Sequence, residues 1–132
     1  MKNTIAFLLI RLAIGASMLG HGLARLPKLP VFSGWMVEIF EESILPKELI
    51  LVFSYSLPVA EFVIGLLLLS GLFTRGAAVA GGLVMVVLIF GTCMIENWEA
   101  IPTQLLHIVF FALVLEFATK SNSMALDNIW GK

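Results

Sequence analysis

The sequence predicts an all-α integral membrane four-helix bundle with a short interfacial amphipathic helix in its first loop. Three observations carry that expectation. Of the 132 residues 60% are hydrophobic and 13% charged, and the mean hydropathy is +1.03, outside the usual mix of a soluble domain. The apolar residues gather into four runs, Thr4 to Leu23, Leu49 to Leu72, Gly76 to Ile95 and Ile101 to Ala118, and an α-helix needs about 20 such residues to cross roughly 30 Å of hydrocarbon. Stretches 65–70 and 82–91 are apolar all round, without the polar outer stripe of a soluble bundle. The chain therefore reads as one membrane domain over 1–132, with helices at about 4–23, 49–72, 76–95 and 101–118.

The first run follows Lys2 and has small residues at Gly15 and Ala16, as a signal peptide does, but Arg11 breaks the apolar region such a peptide needs. It is read as a spanning helix. The long connection from Ala24 to Glu48 places Trp35, Met36, Ile39 and Phe40 on one helical face and Glu38, Glu41 and Glu42 on the other. Pro27, Pro30 and Pro46 bracket this amphipathic segment, expected to lie in the interface as a lid over the bundle or as a surface for a partner or lipid. Pro58 is expected to kink the second spanning helix one turn before Glu61 and to leave the Ser54 carbonyl free, either opening a pocket or simply bending the helix around its neighbours. The third helix opens with small residues, Gly81 and Gly82 among them, a face for tight helix packing. The fourth begins at Pro102, a favoured first-turn residue, and sets Gln104, His107 and Phe111 on one face. Trp98 and Trp130 fit interfacial anchoring.

Four crossings put both termini on one side with Lys2, Arg75, Lys120 and Lys132, against Arg25, Lys28 and Lys47 on the other, which favours cytoplasmic termini. A net charge of −1 and the lack of a basic stripe exclude nucleic acid as a partner. Cys93, the single cysteine, excludes an intrachain disulfide.

The chemistry-bearing residues are few. Counting from the outer helix ends, Arg11 and Glu61 each come out about 18 Å deep, at one level on consecutive helices, so they are expected to meet. A lone charge at that depth costs about 2.5–3.5 kcal/mol, much of it removed by pairing. Two readings stand: an ion pair that fixes helix register, or a polar site for a proton or the carbonyl of a lipophilic ligand. Gly15 and Gly22 share the stripe of Arg11, and Gly65 shares that of Glu61, so close packing is expected around the pair. His21 and His107 fall in the outer half, where they are expected to share a cavity, and Gln104 with His107 suits a quinone-like carbonyl. No further ligands stand at metal spacing, so neither a metal nor an intrinsic cofactor is expected.

His21-Gly22 at the end of the first helix, followed by Pro58-x-x-Glu61-x-x-x-Gly65-x-Leu67-Leu68-Leu69-x-Gly71-Leu72-x-Thr74-Arg75, resembles the DoxX family of small bacterial membrane proteins. The likeness runs through nearly the whole chain, with Arg25-Leu26 standing where a Lys-Leu pair is usual. It implies a four-helix protein of the bacterial inner membrane, tied to quinone-linked sulfur oxidation and to membrane redox or oxidative-stress complexes. His21, Gly22, Glu61, Gly65, Gly71, Thr74 and Arg75 are the positions that match. The expectation that follows is an accessory subunit binding a quinone or another lipophilic ligand, beside the lipid bilayer and an oxidoreductase or membrane-complex partner. The alternative is an assembly or scaffold protein in which Arg11 and Glu61 are purely structural.

Overall fold

In the computed structural model, which describes residues 3–122 and 125–129, the chain forms helices α1 (Thr4–Arg25), α2 (Leu29–Ile39), α3 (Lys47–Ser70), α4 (Thr74–Met94) and α5 (Ile101–Ser121). No strand occurs among the described residues. Lys2, Trp130 and Lys132 lie outside them, as does the side chain of Lys120. Four stretches are long and apolar enough to cross a membrane, the first of them running through both α1 and α2. This is a multi-pass membrane protein.

Each boundary has a local cause. The Asn3 side chain accepts from the Ala6 amide and caps α1. Pro27 and Pro30 separate α1 from α2 by a short 3-10 turn, Leu26–Lys28. Gly71 ends α3 in the left-handed conformation at φ 74°, where a side chain is strained. Helix α3 itself runs unbroken through the buried Pro58.

The spanning helices form a ring in chain order, α1 against α3, α3 against α4, α4 against α5 and α5 against α1. The closest seam is α1 with α3, because glycines on each admit the backbone of the other. A Cβ on Gly22 would fall 2.7 Å from the Phe62 nitrogen, and one on Gly65 would collide with the Leu19 backbone. These interlocks fix the antiparallel register, with residue 19 beside 65 and residue 22 beside 62. Similarly, Gly81 lies under the Phe111 ring, whereas Gly82 is half-buried and takes no such contact.

That register changes the expected geometry of the first loop. The outer end of α1 stands level with the middle of α3, not with its start. Helix α2 fills the remainder and runs back along the first half of α3. Ser33 bonds the Ser54 hydroxyl at 2.7 Å, and Phe32 and Met36 are buried with Ile50 and Leu57. The buried face is thus Phe32, Ser33 and Met36, while Trp35 remains half-exposed. At the far end of α2, Phe40 reaches across to Gly91 of α4. Trp98 is exposed in the α4–α5 connection.

Candidate functional site: a cavity with a polar floor

Helix α2 lies along the first half of α3, where the expected register would have set α1. A cavity of about 510 Å³ lies between α2, the first half of α3, the second half of α4 and the start of α5. Its walls are apolar and aromatic, with Phe32, Trp35, Phe40, Phe53 and Leu88 among them, and polar side chains gather at the α1 end and along α5. Glu61, His21, His107 and Gln104, all expected at a site, line this one cavity.

The Glu61 carboxylate is buried and accepts from one terminal nitrogen of Arg25 at 2.9 and 3.0 Å. Arg25 also stacks on the Phe32 ring, 4.6 Å from its centroid. The two imidazoles meet edge to face with centroids 6.0 Å apart. Each bonds the carbonyl one turn back, His21 Nδ1 to Ser17 O at 2.7 Å and His107 Nδ1 to Thr103 O at 2.8 Å. A carbonyl only accepts, so both Nδ1 atoms carry the hydrogen. In the neutral ring the His107 Nε2 then accepts from the Ser17 hydroxyl, 2.7 Å away. Gln104 donates through Nε2 to Thr92 Oγ1 at 2.9 Å, and its Oε1 is buried without a partner among the described residues.

Arg11 is elsewhere, and the expected Arg11–Glu61 pair does not form. Its guanidinium lies against Gly71, close enough that a Cβ there would come 2.5 Å from Nη1. Gly71 stands ten residues past Glu61, about 15 Å along the helix. Counting from helix ends failed because it set Leu23 level with Leu49, and α2 displaces that alignment by half a helix. Arg11 instead belongs to a buried latch at the other end of the bundle. It donates to Asn122 Oδ1 at 2.7 Å, and Asn122 Nδ2 donates to Thr74 Oγ1 at 3.1 Å. The Asp127 carboxylate accepts from the Phe73 and Thr74 amides at 2.5 and 2.8 Å, capping α4, while its own amide donates to Gly71 O at 2.9 Å. Arg75 bonds the Leu115 carbonyl at 3.2 Å, while Glu116 is exposed.

A family model, DoxX, matches residues 6–93, more than half of the chain. The chain belongs to the DoxX family. Comparison with curated proteins and with solved structures gave no match. In this DoxX protein the positions carrying the family likeness divide between two places. His21 and Glu61 line the cavity, Gly22 and Gly65 interlock beside it, and Gly71 and Thr74 hold the latch. Among the described residues no group of three or more His, Cys, Asp or Glu side chains stands close enough to hold a metal ion.

Sequence reasoning missed Arg25, Ser17, Asn122 and Asp127 as partners. One signal was available for Arg25. Setting Gly22 beside Gly65 as interlocking glycines brings Arg25 to the level of Glu61 without any assumption about helix ends.

Proposed function

We propose that this DoxX protein is an accessory subunit of a membrane redox system, holding a quinone or a comparable lipophilic molecule in the cavity between α2 and the α3–α5 face. One observation carries the reading: an apolar, aromatic-walled space with its polar groups convergent at one end, one of them, Gln104 Oε1, buried and unmet. A flat ring packs on Phe32 and Trp35; its carbonyl oxygen accepts the second Nε2 hydrogen of Gln104, the one Thr92 does not take, while the unmet Oε1 accepts from a hydroxyl of the reduced ring. His107 is set beside it by Ser17 and Thr103. The Glu61–Arg25 pair closes the floor, neutral as a unit and tolerable at that depth. Electrons come from a protein partner, an oxidoreductase or membrane complex. The location that fits is the bacterial inner membrane, with cytoplasmic termini on the side of Arg75.

The assembly reading has one observation of its own. Gly76, Ala80 and Leu83 lie open on the outer side of α4, where a partner helix can pack closely. Titration of the purified protein with a quinone separates the two. Trp35 lines the cavity, so a bound ring quenches its emission, and the quenching disappears in Trp35→Phe. Gln104→Leu weakens binding about tenfold, the loss of one hydrogen bond to a buried polar group. No saturable quenching leaves the assembly reading.

A further inference from the structure

A second, smaller hollow of about 150 Å³ lies on the α1–α5 seam, lined by Ala13, Ile14, Ser17, Leu106, His107 and Phe110. His107 is the residue it shares with the large cavity. The hydrogen bond from Ser17 to His107 therefore forms the partition between the two spaces. Outside the partition Ala13 and Leu106 are exposed on the flank of a spanning bundle, the surface that hydrocarbon covers. Ser17 and His107 are themselves only half-buried there. The pair joins α1 to α5 across a seam looser than the one between α1 and α3, and the two side chains satisfy one another there.

We propose that the α1–α5 seam is a tail-binding groove for a single-tailed lipophile whose polar ring occupies the large cavity. The inference rests on the ligand reading above and adds where the tail lies. The molecule reaches the cavity from within the bilayer, the Ser17–His107 contact parts to admit the ring, and the hydrocarbon tail remains along Ala13, Leu106 and Phe110. The occupant is an isoprenoid or alkyl chain on a ring carrying oxygen substituents. A free fatty acid is disfavoured, since the cation at the floor, Arg25, is already paired with Glu61 and leaves an incoming carboxylate uncompensated.

The test compares two probes on the whole protein in lipid nanodiscs, read by Trp35 quenching: a decyl-substituted benzoquinone and the same ring without the decyl chain. Ala13→Phe fills the groove and adds no tryptophan. It weakens the tailed probe about tenfold, the burial of roughly two methylenes, and leaves the ring-only probe unchanged. Leu106→Ala, which widens the groove, speeds association of the tailed probe several-fold and leaves the ring-only probe alone. Equal effects on both probes, or none on either, overturn the groove while the cavity reading survives. If neither probe binds the unaltered protein, the cavity reading falls and the groove with it.

Discussion

Glu61 is matched to Arg25 by geometry that a swap of arginines does not reproduce. A double-mutant cycle on Arg25→Met and Glu61→Gln gives a coupling of more than about 1 kcal/mol in detergent unfolding, and the cycle pairing Arg11→Met with Glu61→Gln gives less than about 0.5 kcal/mol. Removing Arg25 alone costs up to about 3 kcal/mol, because it leaves a buried carboxylate with no cation beside it. At the opposite end, Asp127→Ala removes the acceptor for two α4 amides and costs about 1–2 kcal/mol by the same unfolding measurement. Arg11 and Glu61 were each visible in the sequence as a charge inside an apolar run. The partner of each was not, since pairing depends on how far one helix slides along another.

Helix α1 lies on α3 because glycine alone fits where their backbones touch. Gly65→Ala places a methyl group into the Leu19 backbone and lowers the melting temperature measurably, whereas Gly20→Ala, with nothing within 4 Å of its added carbon, is neutral or stabilising. Melting curves of the two variants, equal in composition, check that the crossing and not glycine content matters. The small-residue pattern was legible beforehand, and so was a helix in the first loop. That this helix packs along α3 was not. Its face was assigned from Trp35, Met36, Ile39 and Phe40, but the contact with α3 selects Phe32, Ser33 and Met36, through a serine pair that hydrophobic periodicity does not weigh.

Across the whole molecule the cavity and the latch are separated by an apolar core in which Ile14, Met18, Leu68, Met85, Phe111 and Val114 are nearly or wholly buried. No polar chain crosses it among the described residues, so the two ends respond independently. Truncation after Ser121, which removes Asn122 and Asp127 from the latch, lowers thermal stability and leaves the affinity for a ring-only quinone within about twofold. Quenching titrations on the truncated chain at a temperature where it remains folded make the comparison. A parallel loss of affinity would mean that the bundle transmits strain from one end to the other.

Hydrophobic runs long enough to cross hydrocarbon, and the rule that charges inside them find partners, are properties of composition and local spacing. They determined the helical class and the number of spans. Register is not local. It was decided by two glycine contacts and by α2 lying along the first half of α3, both of which exist only once the helices touch. That decision sent Arg11 to a terminal latch, brought Arg25 to Glu61, and left a cavity between α2 and the α3–α5 face.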